Sequence, residues 1–329
     1  MYAINPPISL LRYLLVFRVN SSLVRLPRCL SMELSLVLGA MIAERLPTHE
    51  ARRWRKALAL WDGYEGEFLG LPACDSSAQK ASRTSVVPDV AWPIEAALYV
   101  YPSKLTYGRG EPILWELKLM GESADHGLFL ELILPTMEEA GSTMDTHWNR
   151  PNRLWGHFDI DAVYVARGLQ WEPLVQEGRL NLRYRPTPTQ WAEGQHVAGV
   201  PERSFNRLIW LTPFAFAPHV AKPNLRELME ATEARLHQLT PGRRTKPDDV
   251  GEVFADAACS WQEALEEADE VSVPSCKLKR PPKYWPGNWI GSQQFSEIPP
   301  ALVPVLNLAA ILHIGRYTHF GCGTFMLTG

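Results

Sequence analysis

The feature that most constrains this chain is its last seventeen residues, His313 to Gly329. An apolar run from Pro304 to Leu312 leads in. Gly315, Arg316, Gly321 and Gly323 then fall within nine positions, and Thr324-Phe-Met-Leu reads as a short strand. Glycine lets a backbone take φ > 0 and lets another chain or a ligand come close to it. Successive N–H groups in such a turn make a concavity for anions. Arg316, Tyr317, His319 and Phe320 add a charge, hydrogen-bonding groups and stacking faces, a mixture that suits a nucleic-acid backbone. The same residues also describe a tight helix-to-strand turn filled with core aromatics, because a glycine-rich loop alone is a weak motif.

The segment Ile314-Gly-Arg-Tyr-Thr-His-Phe-Gly-Cys-Gly323 resembles the C-terminal glycine-rich loop of the RAMP superfamily. More narrowly it resembles the CRISPR-associated endoribonucleases that cut precursor CRISPR RNA. Leu208-Ile-Trp-Leu-Thr-Pro-Phe214 is similar to that family's strand ending in Thr-Pro, and Asn224 to Leu239 to the Arg-containing helix after it. Trp289-Ile-Gly291 and the helix from Pro300 resemble its approach to the loop, and Tyr107 to Gly121 a first-domain strand. The similarity runs from about Pro93 to Gly329; the first ninety residues match in outline. It implies an α+β chain of two tandem ferredoxin-like (RRM-like, RAMP) domains.

The length of 329 residues fits two domains. Charged residues are 21% and hydrophobic residues 46%, enough apolar material for a core in each. A net charge of −3 means that any RNA site is a local patch rather than a global basic character. Cys29, Cys74, Cys259, Cys276 and Cys322 form no C-x-x-C pair, which argues against a disulfide framework and against zinc, and fits a reducing cytoplasm. Ile8 to Val19 is apolar but broken by Arg12 and Arg18, so it reads as a core strand and not a signal peptide. No run approaches the ~18 apolar residues of a membrane span.

In order, Arg12–Leu26 reads as a strand, and a helix beginning near Ser31 carries Leu34, Leu38, Met41 and Ile42 at helical spacing and ends at Pro47. Ser76–Ser85 reads as a loop. Strands follow at Ile94–Tyr101 and Ile113–Met120, a helix at Leu128–Glu139 despite Pro135, and strands at Trp155–Val165 and Leu180–Tyr184. This is the β-α-β-β-α-β order. The Pro- and Gly-bearing stretch Arg185–Ser204 marks the boundary, giving domains over 1–190 and 200–329. The second half predicts a strand at Arg207–Phe216, helices at Asn224–Leu239 and Asp248–Asp269, a strand at Gly287–Phe295, a helix at Leu302–Leu312 and the terminal strand.

The resemblance implies metal-independent cleavage: the RNA's 2′-hydroxyl attacks its own phosphate and leaves a 2′,3′-cyclic phosphate. Such chemistry needs a base, an acid and a cation; histidine suits the first two and Arg or Lys the third. No metal or other cofactor is expected. His49 is the first candidate, at the place where the wider family keeps a catalytic histidine, with Arg52, Arg53 and Lys56 beside it. A solvated helix-end histidine among surface charges is its bland counterpart. His237 is a second candidate, His319 reads as binding rather than catalytic, and His313 as structural. Some relatives lack a catalytic histidine, and Arg18, Arg25 and Arg28 then become candidates.

For RNA binding, Gly315, Arg316, His319, Gly321 and Gly323 are joined by a patch of Lys277, Lys279, Arg280 and Lys283 beside Tyr284 and Trp285. A third patch is Arg243-Arg244 in Pro241–Lys246. Phosphate contacts give salt-dependent affinity, and aromatic faces stack unpaired bases. The expected partners are the CRISPR repeat, its processed crRNA and other effector subunits. Two readings stay open beside the nuclease: a RAMP subunit that only holds the guide, and, from the acidic run Glu263–Glu270, a protein-interaction module.

Overall fold

In a computed structural model, the structure describes residues 8–26, 29–58, 92–101, 104–143, 154–193, 204–216, 223–240, 261–282 and 285–329. The expected loop at 76–85, most of the interdomain stretch 194–203, and the 248–260 part of the expected acidic helix lie outside these residues.

Strand β1 (Leu10–Val19) shows why the first half folds as it does. Leu11, Tyr13, Leu15, Phe17 and Val19 alternate with residues of the other face, and all five are buried. The Tyr13 ring stacks on Phe129 at 3.8 Å, and Phe17 meets the edge of Phe158 at 4.5 Å. The expected single strand from Arg12 to Leu26 is two: β1, and after a bend at Ser21-Ser22 the short β2 (Leu23–Arg25).

Helix α1 (Leu30–Arg45) is buried along most of its length. Pro47 then starts a second helix, α2 (Thr48–Leu58), rather than only ending the first. Proline has no N–H to lose and is well placed just before the first turn. Strands β3 (Ala96–Val100), β4 (Thr106–Gly108) and β5 (Pro112–Met120) follow, with β4 pairing only with β2. The expected helix over Pro135 runs as a short turn at His126–Leu128, a π turn at Phe129–Ile133 and α3 (Leu134–Ser142). A wider i→i+5 turn ahead of proline relieves the clash of its ring with the preceding carbonyl. Next come β6 (Phe158–Arg167), β7 (Gln170–Gln176) and β8 (Arg179–Leu180). The strand expected at Leu180–Tyr184 is thus only its first residue, and β7 is an additional hairpin partner. The six-stranded antiparallel sheet runs β3-β5-β1-β6-β7-β8.

The second half contains β9 (Phe205–Trp210), α4 (Leu225–Leu239), α5 (Trp261–Glu270), β10 (Ser275–Lys279), β11 (Ile290–Ile298), α6 (Val303–Leu312) and β12 (Phe325–Thr328). Helix α4 starts on a capping box, with the Asn224 side chain accepting from the Glu227 N–H and the Glu227 carboxylate accepting from Asn224 N–H. Its sheet runs β10-β11-β9-β12, all antiparallel. The basic stretch at 276–279 is therefore the edge strand β10. Lysine on an edge strand deters pairing with another chain.

The two cores interpenetrate. Tyr317, Phe320 and Cys322 of the glycine-rich segment belong to the first core. Leu10, Ala97 and Met120, on the other face of the first sheet, belong to the second. The halves therefore bury part of each other's apolar surface.

Candidate nucleic-acid interface

The glycine-rich segment is a wedge between the halves. His313, Gly315, Tyr317, Gly321 and Gly323 all have positive φ. A Cβ at Gly321 would lie 2.1 Å from the Leu98 carbonyl oxygen of β3, and one at Gly323 2.0 Å from that of Ile314. The Ser35 hydroxyl of α1 donates to the His319 carbonyl at 2.8 Å. Main-chain N–H groups of the loop are already committed: Arg316 to Ala215 O, Gly321 to Thr318 O, Gly323 to Pro213 O. Thr318, His319, Phe320, Gly321 and Gly323 are buried, and Gly315 and Arg316 are the half-exposed part of the segment. These glycines serve close chain-to-chain approach, and the loop's face to solvent is at its start.

Beneath the loop lies a polar cluster that the sequence reading did not contain. The Lys118 ammonium donates to Ile311 O at 2.9 Å and to His313 Nε2 at 3.1 Å, while His313 Nδ1–H donates to Cys322 O at 3.0 Å. Burial pushes the Lys118 amine down to about 8, against the pull of Glu116. His313 is buried and held neutral well below the usual histidine range, by burial first and by the Lys118 charge second. The Glu116 carboxylate is also buried; burial raises its pKa, but Lys118 and Arg12 outweigh that and keep it ionised. Arg12 Nε donates to it at 2.6 Å and the Tyr101 hydroxyl at 3.1 Å. On α4, the buried Arg235 donates to Leu312 O at 3.2 Å and to Glu95 at 3.2 Å, so it closes the end of α6.

Helix α2 presents His49, Arg52, Arg53 and Lys56 on one stripe. Spacings of three and four residues place them on the face opposite the buried Ala51, Trp54 and Ala57 side. The His49 side chain is 80% exposed and its Nε2 lies 3.3 Å from Glu50. Arg52, Arg53 and Lys56 pair with no carboxylate among the described residues. The buried side of α2 ties this stripe to the loop: Trp54 meets the edge of Trp92 at 5.1 Å, and Trp92 lies 5.7 Å from the His319 ring. Trp92, Glu95, Gln238, Arg316 and His319 line a cleft of about 280 Å³ there. His319 Nε2 is buried without a hydrogen-bond partner among the described residues, and burial pushes its pKa down to about 3.

Lys277, Lys279 and Arg280 are exposed on and just after β10, on the other sheet. Lys283, Arg243 and Arg244 lie outside the described residues, as do Arg28 and Tyr284. Arg18 is paired with Asp161 at 2.5 Å, and His237 lies 4.0 Å from Glu233. Among the described residues no three His, Cys, Asp or Glu side chains are grouped to hold a metal ion, and no helix is long and apolar enough to cross a membrane.

No family model matches the chain, and no curated protein does. Solved structures do. A chain of the partial Cas6-RT-Cas1–Cas2 complex aligns over 99% of this chain and 47% of its own length, at 12% identity and a TM-score of 0.52. The Cas6-RT-Cas1–Cas2 complex aligns over 99% of this chain and 29% of its own, at the same identity and TM-score of 0.52. The chain thus spans less than half the length of these matched chains. A Cas6 of Thermus thermophilus aligns over 98% of this chain at 14% identity and a TM-score of 0.45. The fold is α+β and Cas6-like.

Proposed function

We propose that this chain binds CRISPR repeat RNA and cleaves precursor crRNA by metal-independent attack of the 2′-hydroxyl, releasing guide RNAs. We further read its two halves, 1–190 and 200–329, as tandem ferredoxin-like domains, because each four-strand set β3-β5-β1-β6 and β10-β11-β9-β12 has the 2-3-1-4 order of a β-α-β-β-α-β unit.

The observation that carries the proposal is the α2 stripe joined to the glycine-rich loop through Trp54, Trp92 and His319. It ties an exposed histidine, and cations that pair with no carboxylate among the described residues, to the segment that carries the half-exposed Arg316. In the reaction, His49 moves the proton of the attacking hydroxyl or of the leaving 5′ oxygen. The new 2′ O–P bond forms as the P–O5′ bond breaks, giving a cyclic phosphate and a 5′-hydroxyl. Arg52 and Lys56 balance the negative charge that builds on the phosphorane; electrostatic stabilisation of this kind is worth about 3 kcal/mol per donor. RNA backbone contacts come from Arg316 with Gly315, from Lys277, Lys279 and Arg280, and from Lys283, Arg243 and Arg244.

The test is a labelled repeat RNA in EDTA beside the same RNA with a 2′-deoxy nucleotide at the cut site. One cut in the first and none in the second is the expected result. Binding without cleavage across a panel of repeats supports the second reading, a non-catalytic subunit that holds the guide among other effector subunits. The 80% exposure of His49, whose one ion-pair contact among the described residues is with Glu50, is the observation that favours that reading.

A further inference from the structure

The helix-free face of the four-stranded sheet gathers polar and basic side chains. Its register sets two rows across the strands. One row is Lys277, Ser292, Ile209 and Met326; the next is Ser275, Gln294, Arg207 and Thr328. The alternate residues Leu208, Trp210, Gln293 and Phe295 are buried on the helix side. In the middle of the open face Asn206, Arg207, Ser275, Lys277, Ser292 and Gln294, with Gly329 at the rim, line a pocket of about 260 Å³. Two cations, two hydroxyls and the Gln294 amide converge there, with Asn206 at the edge, and no Asp or Glu side chain lines it. Arg207 Nη2 donates to Ser292 Oγ at 3.3 Å, which holds the guanidinium over the pocket. Neither Arg207 nor Lys277 pairs with a carboxylate among the described residues. By contrast Arg12 and Arg18, on strand β1 of the six-stranded sheet, are both taken by carboxylates.

We infer that this pocket is a phosphate site and that the open face of the four-stranded sheet carries the backbone of a single-stranded stretch of RNA. Arg207 and Lys277 neutralise the phosphates. Ser275, Ser292 and Gln294 supply neutral hydrogen bonds, which fit a phosphodiester whose single charge needs few cations. Next to the pocket, Ile209 is half-buried and Met326 is 44% exposed, so apolar surface is at hand for a base to cover. A sheet face is open to an unpaired strand, whose bases can splay onto it. The inference rests on the RNA reading above and extends it to Arg207, Ser275, Ser292 and Gln294, on strands far apart in sequence.

The experiment measures affinity of the full chain for a labelled mixed-sequence single-stranded RNA over a salt series. The variants are Arg207→Ala/Lys277→Ala, the conservative Lys277→Arg, and Arg179→Ala on the exposed β8 as a control. Each phosphate contact on a single strand contributes about 0.7 to the slope of log K against log salt. The double variant is therefore expected to bind at least tenfold more weakly with a slope shallower by about 1.4, while Lys277→Arg and Arg179→Ala keep the wild-type slope. Unchanged thermal midpoints show that the effect is not misfolding. Wild-type binding with an unchanged slope in the double variant overturns the sheet site alone. If the wild type has no salt-dependent RNA affinity, the sheet site falls together with the RNA reading. Inorganic phosphate is the second probe: if it binds the wild type in a way that Arg207→Ala abolishes, while RNA affinity is indifferent to that change, the pocket serves a small anion and the inference is overturned.

Discussion

Gly321→Ala is the sharpest perturbation of the joint between the halves. Gly321 has φ of 78°, and the added methyl would sit 2.1 Å from the Leu98 carbonyl oxygen of β3. The left-handed backbone alone costs a non-glycine residue about 1 kcal/mol. The close approach adds more, because neither backbone is a flexible side chain end: relieving it means moving the loop off β3 by more than the slack of a packed core, at about 2 kcal/mol. The sum is about 3 kcal/mol. Gly110 provides the control. Its φ is 84°, but a Cβ there meets nothing within 4 Å, so Gly110→Ala isolates the backbone cost of about 1 kcal/mol. At roughly 2 °C per kcal/mol for a chain of this size, the midpoints should fall by about 6 °C and about 2 °C respectively. Urea unfolding followed by tryptophan fluorescence, with calorimetry alongside, measures both. Equal midpoints for the two alanine variants would refute the claim that the glycine is there for chain-to-chain approach.

Lys118 gives a pH prediction. Its amine ionises near 8 in the folded chain against 10.5 unfolded, so between those values the unfolded chain holds more protons and stability rises with pH. The gap corresponds to about 3 kcal/mol at most, and Lys118→Met should flatten the stability profile over that window; parallel profiles would sink the assignment. His319 acts on the acid side. Held neutral down to about 3, it contributes stability that is complete above its usual value of 6.5 and lost as pH falls towards 3. His319→Phe should remove that acid loss and, because Nε2 has no partner among the described residues to lose, leave stability at neutral pH equal or higher; a weaker RNA affinity in this variant would instead place His319 against the ligand.

The elements with strong local signals were legible. The β1 alternation, the helical spacing of α1 and the Asn224/Glu227 box each declare themselves within a dozen residues. The terminal glycines were legible as a demand for positive φ, but not what they approach: the partners of Gly321 and Gly323 are carbonyls of Leu98 and Ile314, and the first lies 223 positions away in the chain, in no local pattern. What could not be read were contacts between halves. Lys118 and His313 meet across 195 positions, and nothing in the run Leu117-Lys-Leu marks the lysine as buried. Arg207, Ser292 and Lys277 share a face only because three antiparallel strands fix the register. The strand β10 did carry a signal, since Ser-Cys-Lys-Leu-Lys alternates with period two, but the run of charge hid it. The second helix after Pro47 was hidden likewise, because the basic residues of α2 leave only Ala51, Trp54 and Ala57 to mark its buried side.

The measurement that bears most directly on the account is the single-turnover cleavage rate of a repeat RNA by His49→Ala, with RNA affinity measured on the same protein. Exposed on α2, His49 can be replaced without disturbing the core. General acid–base catalysis by one side chain is worth about 100-fold to 10,000-fold. The account predicts a loss of that size in rate with affinity unchanged. An undiminished rate in His49→Ala would contradict it and move the chemistry off the α2 stripe.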